Sequence, residues 1–471
     1  MNADAAPLSE AGRRLSPREA LQTAAQARSI AILGASADAG KLGHLLLKVL
    51  IESGYEGRIL PVNRKAASIL NRRSYPALAD IPGDIDTVVL MVPSEQLIEA
   101  LRQCAERNVR VVVAVTSGFS EAGAAGESLQ RQLLDFLRHA PFRLLGPNCE
   151  GFVIPGQRAF VTFSLMTVGL RDGPVAMISQ SGAVAGAMAQ RFKQMGIGVR
   201  ALVSTGNEVD VTATDVLEWL ADDPTTTTIV AYLEEIRDAA RFVAVARRLM
   251  HRKAIVIEKT GRGSAAADAV MTHTGAIAGN VKVAEGVFEQ LNIVSVHDFS
   301  QAVDSAAALS SGKTLSGLAV GVISIAGGLA VETADLLEAA GFEVPAFDSG
   351  LQSAIRHCLP YFAATRNPVD LTGVALARPD LFRRIVGQVA ENPAIHAIVV
   401  IITFSPKVEF ATMLMELERA SAKPLLVVWT APDSLTPEPL QAFREAGFPV
   451  FDAPVRAVSG LRAIARFSGL M

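Results

Sequence analysis

Ser29-Ile30-Ala31-Ile32-Leu33-Gly34-Ala35-Ser36, followed by Gly40-Lys41-Leu42-Gly43 and the run from His44 to Glu52, is the stretch whose reading decides the fold. Ser29 to Leu33 lacks the polar–apolar alternation of a half-exposed strand, so it reads as a strand buried on both faces. The glycines after it permit a tight turn and let the backbone approach a ligand closely. Gly54 and Gly57 end the helix, and Arg58-Ile59-Leu60-Pro61-Val62 starts the next strand. Strand, glycine turn, helix, strand is the opening unit of a Rossmann-like α/β domain, in which helix N–H groups face a phosphate.

The spacing departs from G-x-G-x-x-G, because an insertion separates Gly34 from Gly40. The second strand ends in Asn63-Arg64-Lys65, where the ribose of a nicotinamide cofactor wants Asp or Glu. This argues against NAD and for a ligand with an extra phosphate near its adenosine, such as coenzyme A or NADP. Later strands end in Val92-Pro93-Ser94, Thr116-Ser117-Gly118-Phe119 and Gly146-Pro147-Asn148-Cys149. Ligands of open parallel sheets lie beyond the carboxyl ends of the strands. The candidate cofactor-binding residues are therefore Gly34, Ser36, Gly40, Lys41, Gly43, Asn63, Arg64, Lys65, Val92, Pro93, Ser117, Gly118 and Asn148.

A chain of 471 residues is long for one core and implies two to four domains. Half of it is apolar and 19% charged, as expected of buried parallel sheets. Lys plus Arg number 44 against 47 acidic residues, a balance that suggests no nucleic-acid surface. Cys104, Cys149 and Cys358 form no metal-ligand pattern, and with no signal peptide they fit a reducing, cytoplasmic setting. The apolar runs are strand-length, far short of the roughly 20 residues that cross a bilayer. The surplus of apolar residues points instead to an oligomeric partner.

Ser16-Pro17 marks the start of a short helix, expected to pack on the first domain. A second α/β unit opens at Pro174-Val175-Ala176-Met177-Ile178 and runs through Ser179-Gln180-Ser181-Gly182 into a helix closed by Gly196. Two hydroxyls, a carboxamide and a glycine at a helix start make an anion-site candidate; a well-capped helix gives the same signal. Ser204 to Asp210 is a polar loop, and the next strand ends in Glu234-Glu235. A third unit, from about Leu315, echoes the second: Ser179, Gly182, Gly196 and Val199 recur as Ser324, Gly327, Gly341 and Val344. Trp219 and Trp429 read as packing residues, and Arg462 and Arg466 as solvated.

Met271-Thr272-His273-Thr274-Gly275-Ala276-Ile277-Ala278-Gly279 places one imidazole in a run of small residues. A neutral imidazole nitrogen is nucleophilic near pH 7 and suits phosphoryl transfer. It needs an oxyanion cradle, for which Ser179, Gln180, Ser181 and Gly182 are candidates together with Thr274 and Gly275. It also needs a carboxylate to fix its tautomer, which Glu234 or Glu235 would supply. No H-E-x-x-H or Cys pair suggests a metal site, and no G-x-S-x-G or Walker A motif occurs.

These pieces, in one order over roughly residues 25 to 375, resemble the nucleoside-diphosphate-forming acyl-CoA synthetases, alpha-subunit type. The resemblance implies an α/β fold with an N-terminal Rossmann-like CoA-binding domain followed by two flavodoxin-like ligase domains. Its boundaries would be a helical extension at 1–26, the CoA-binding domain at 27–155, the phosphohistidine ligase domain at 156–312 and the second ligase domain at 313–471. By likeness, acyl-CoA, phosphate and ADP are converted reversibly to acid, CoA and ATP through an acyl phosphate and a phosphohistidine at His273, with Glu234 as the orienting glutamate. Coenzyme A would be a substrate; ADP/ATP or GDP/GTP and Mg2+ would enter through a separate ATP-grasp beta subunit, in a hetero-oligomer or homodimer. Glu150 departs from the family pattern, in which a small or apolar residue is usual, and is expected to alter acyl or CoA selectivity. The competing expectation is a non-catalytic CoA- or acyl-CoA-binding regulatory protein; an NAD(P) oxidoreductase is disfavoured by Asn63-Arg64-Lys65.

Overall fold

The structure is a computed structural model describing residues 13–274 and 280–471, with residues 271–274 described by backbone only. Three open sheets carry the chain. The first is parallel, in the order Arg58–Val62, Ser29–Leu33, Thr87–Leu90, Val111–Ala114, Arg143–Leu145. Its central strands are buried along their length, as their unbroken Val, Ile and Leu content requires.

The second sheet has seven strands, in the order Val294–Val296, Ala254–Lys259, Thr228–Leu233, Val175–Ser179, Val199–Ser204, Gly151–Ile154, Ala159–Val161. Five are parallel, while Gly151–Ile154 runs antiparallel to Val199–Ser204 and to Ala159–Val161. The third sheet repeats the doubly wound plan: Val369–Asp370, Val320–Ser324, Ala397–Ile402, Leu425–Trp429, Val450–Phe451. Among the described residues no helix is long and apolar enough to cross a membrane.

The first two units share a seam at the carboxyl ends of their strands. Asn207 N–H donates to Pro147 O at 2.9 Å, and a side chain on Gly206 would collide with the Pro147 and Asn148 carbonyls. Gly206 is at φ +58, so both space and backbone conformation favour glycine there. Asp210 binds the seam electrostatically: it accepts from Arg143 Nη1 at 2.8 Å, Arg14 Nη2 at 3.1 Å and Leu144 N–H at 2.8 Å.

Helix Pro17–Ala25 starts in a capping box between Ser16 and Glu19. It packs on strand Val111–Ala114 as expected, but more extensively on helix Ala213–Ala221 of the second unit, where Trp219 Nε1 donates to Gln22 Oε1 at 3.0 Å. Arg466 corrects another expectation. It is not solvated: its guanidinium donates to the Met471 carbonyl at 2.5 Å and the Glu289 carbonyl at 2.6 Å, tying the last helix to the second unit. Trp429 is buried, as expected of a packing residue.

Asp210→Ala leaves two guanidiniums and one N–H without their acceptor. It is expected to cost about 2–3 kcal/mol, read as a lower denaturant midpoint in equilibrium unfolding.

Candidate active site

The crown of the first sheet gathers most of the candidate cofactor residues. Gly34 is at φ +99, and a side chain on it would run into the Met91 carbonyl; one on Gly43 would strike the Gly34 carbonyl. Helix Leu42–Glu52 therefore starts directly on the turn, and the two glycines make that approach possible. Between them, Ser36 Oγ accepts from Asp38 N–H at 3.1 Å, Asp38 Oδ1 accepts from Gly40 N–H at 3.0 Å, and Lys41 is exposed. His44 Nδ1 lies 3.0 Å from the Ser36 carbonyl.

Asn63 organises loops. Its Nδ2 donates to Ala35 O at 2.8 Å and its Oδ1 accepts from Lys65 and Ala66 N–H, both at 2.9 Å. Arg64 and Lys65 beside it are exposed, where their charges can meet a phosphorylated ligand. The remaining loops are laced to one another: Thr116 Oγ1 donates to Val92 O at 2.8 Å, Asn148 N–H donates to Thr116 O at 2.9 Å, and Gly118 faces Ser94. Pro93 and Ser117 lie exposed on this rim.

In the second sheet, the strand order reverses between Val175–Ser179 and Thr228–Leu233, the crevice where ligands of such sheets sit. Ser179 Oγ donates to Ser181 O at 2.6 Å and accepts from Ser181 N–H at 3.2 Å, which shapes the turn. Ser181 Oγ caps helix Gly182–Met195 by accepting from Val184 N–H. Gln180 spans the crevice. Its Oε1 accepts from Glu234 N–H at 2.5 Å and Glu235 N–H at 2.9 Å, and its Nε2 donates to Glu235 O at 2.9 Å. The carboxamide thus holds the Glu234 loop.

Glu234 is buried, with the Tyr232 hydroxyl hydrogen-bonded to its carboxylate; burial first, then Glu234, raises the Tyr232 pKa. Lys259 Nζ donates to Glu234 O at 2.6 Å, and burial lowers its pKa. Glu235 is instead half-buried and pairs with Arg237 at 3.2 Å.

Helix Ser264–Thr274 carries His273 and Thr274 near its end and packs against the turn Ser120–Ala122 of the first unit. The helix that ends in His273 and Thr274 thus meets the first unit. Gly275 lies outside the described residues. A cleft of about 410 Å³ between the second and third units, lined by Arg171, Gly196, Glu418 and Phe448 among others, contains none of the candidate residues.

Three residues outside the candidate set also organise these loops. Glu121 accepts from Gly118 and Phe119 N–H and from Asn207 Nδ2 at 2.6 Å, and Asn207 also accepts from Asn148 Nδ2 at 3.2 Å. A glutamate three residues after a Ser-Gly turn is the visible signal for the first contact. Glu208, in the Ser204–Asp210 loop, is buried; it accepts from Thr205 Oγ1 at 2.7 Å and Ala213 N–H at 3.0 Å, yet burial pushes its carboxyl up to about 7.

Comparison with known proteins follows the same division. Residues 28–155 match a CoA binding domain, residues 172–309 a succinyl-CoA ligase-like flavodoxin domain, and residues 320–431 a Ligase-CoA domain. The three together define a CoA-ligase chain. It is 34% identical to the acetate–CoA ligase [ADP-forming] I subunit alpha of Pyrococcus furiosus, over 94% of this chain and 96% of that one. It is 30% identical to the acetate–CoA ligase [ADP-forming] I of Archaeoglobus fulgidus, over 93% of this chain, and spans 62% of that longer protein. Among solved structures, an acetyl-coenzyme A synthetase 1 of Candidatus Korarchaeum cryptofilum in complex with phosphate and ADP superposes with a TM-score of 0.83 at 31% identity, covering 94% of this chain and 96% of that one. The chain belongs to the nucleoside-diphosphate-forming acyl-CoA synthetase superfamily, in its alpha-subunit form.

Glu208 generates a pH prediction. An unfolded glutamate loses its proton near 4.5, whereas the folded one holds it to about 7, so this group's contribution to stability falls as pH rises through that window. Relative to wild type, Glu208→Gln is therefore expected to gain stability from about pH 5 to about pH 7 and to level off above, as read from paired denaturant midpoints.

Proposed function

We propose that this chain is the CoA-binding, phosphohistidine-bearing subunit of an NDP-forming acid–CoA ligase. The observation that carries the reading is the crevice of the second sheet, where Gln180 ties the Ser179–Gly182 helix start to buried Glu234. Coenzyme A would lie across the Gly34–Gly43 turn with its phosphates toward Lys41, Arg64 and Lys65. Its thioester would reach inward past the Val92-Pro93 and Ser117-Gly118 loops and Asn148.

Phosphate bound at the Ser181–Gly182 start attacks the acyl carbonyl, the C–S bond breaks, and acyl phosphate and CoA thiol form. His273 then attacks phosphorus, the P–O bond to the acyl group breaks, and the carboxylic acid leaves as carboxylate. Glu234 holds the ring in the tautomer that attacks and offsets the charge of the phosphohistidine. Backbone N–H groups at the helix start, with Thr274 and Gly275, receive the phosphoryl oxygens.

Passage of the phosphoryl group to ADP or GDP is assigned to an ATP-grasp module on a partner subunit, where Mg2+ would accompany the nucleotide. One relative is named a subunit alpha and another is a longer single protein, and both facts support that division.

Incubated with acyl-CoA and radiolabelled phosphate, the chain is expected to take up an acid-labile, base-stable label. His273→Ala abolishes it, and Glu234→Gln slows it about 10–100-fold. Adding an ATP-grasp subunit and ADP discharges the label. A wild-type chain that binds CoA and takes no label would favour the non-catalytic CoA-binding alternative.

A further inference from the structure

Glu150 lies at the joint of the two units, between the strand Arg143–Leu145 of the first sheet and the strand Gly151–Ile154 of the second. Its carboxyl rests over the helix start assigned above to phosphate. A methyl on Gly182 would collide with Glu150 Cγ and come within 2.7 Å of Oε1. Two serines fix that position. The Glu150 N–H donates to Ser204 Oγ at 3.0 Å, and the carboxyl is hydrogen-bonded to Ser164. Ser164 is itself buried and lies against Gly186, one turn further along the same helix.

A phosphate dianion at Gly182 would therefore meet a carboxyl group side by side. Two anions in so small a space cannot both stay fully charged, and the group that is easier to neutralise takes a proton.

We propose that Glu150 is a proton-linked ligand of phosphate: it is protonated as phosphate enters the Ser179–Gly182 turn, and its O–H donates to a phosphate oxygen. The proton comes from solvent on binding and returns to solvent when the turn empties. This rests on the reading of the helix start as the phosphate site.

The surroundings favour such a role. Burial already raises the Glu150 carboxyl above the ordinary glutamate value, with the Ser164 hydrogen bond opposing. Its own loop contributes one further titratable group, the buried Cys149 thiol, pushed up to about 12 mainly by burial. The segment Ala159–Thr167 and the first two turns of helix Gly182–Met195 carry none. On the adjoining strand and loop, Arg200 is paired with Asp223 and Asp172, and Glu208 is held by Thr205 and Ala213. Across the crevice, Arg237 pairs with Glu235 and bears on Glu208, and Lys259 is held by the Glu234 carbonyl, so these described cations already face other carboxyl groups.

The test measures the phosphate concentration that half-saturates protein labelling, with acetyl-CoA as donor, from about pH 6 to about pH 9. It compares wild type, Glu150→Gln and Ser164→Ala. The wild-type to Gln ratio cancels the ionisation of phosphate itself. It is expected to climb with pH toward tenfold per unit above the Glu150 ionisation, while the maximal rates change less. Ser164→Ala, which removes a bond that favours the carboxylate, moves the start of the climb to higher pH. A ratio flat over the whole range overturns the proposal, as does a Gln variant that loses maximal rate with an unaltered phosphate dependence. Wild type without label at any pH overturns the parent reading as well, so the two failures are told apart.

Discussion

The arrangement depends on one carboxamide. Where parallel strands diverge at a switch point, the backbone groups beyond their ends lose sheet partners and need others. Gln180 supplies them: two N–H groups and one carbonyl of the Glu234-Glu235 loop bond to a single side chain, and the same amide faces buried Glu208. Without it, the crevice that exposes the helix start would also leave the glutamate loop unsatisfied. A residue that fixes a loop in this way keeps Glu234 in place.

The second constraint is the seam. Asn207 receives the Asn148 amide and donates to Glu121, and Gly206 lies flat against Pro147 and Asn148. These contacts join the Ser117–Glu121 turn, the Gly146–Cys149 turn and the Ser204–Asp210 loop into one network. A thioester leaving the first crown for the second crevice would cross a junction whose geometry is set by buried hydrogen bonds, which is what attack at fixed distance requires. Asp210 and its two arginines secure the back of the same junction.

Local grammar carried the fold, since each unit announces itself within about thirty residues: a buried apolar strand, a glycine or serine turn, a capped helix. Ser16 with Glu19, and Ser181 with its helix, are satisfied by neighbours in sequence, so they could be read directly. The misreadings share a cause in long-range contacts. Arg466 looked solvated because Glu289 is far off in the chain, and the partners that hold the Gln180 carboxamide likewise lie more than fifty residues away. The strand Gly151–Ile154 was invisible for a similar reason, being short and paired antiparallel to a strand some fifty residues later. Glu208 was legible as polar, but its burial rests on partners that include Gln180 and Ala213, which lie apart from it in the chain.

The third unit sharpens what distinguishes the second. Ser324 Oγ donates to Ala326 O at 2.9 Å and accepts from Ala326 N–H at 3.0 Å, repeating the Ser179 turn bond for bond. There, too, a carboxyl lies over the first glycine of the helix, with Asp370 Oδ2 within 2.8 Å of a methyl placed on Gly327. Asp370 comes from the neighbouring strand of its own sheet, and its Oδ1 accepts from Thr372 N–H, so it is held locally. Glu150 comes from the connection between two units, where a substrate arriving from the first must pass. The same turn is thus covered in one unit by an aspartate of its own sheet and in the other by a glutamate from the junction, and only the second would feel the charge of an anion arriving there.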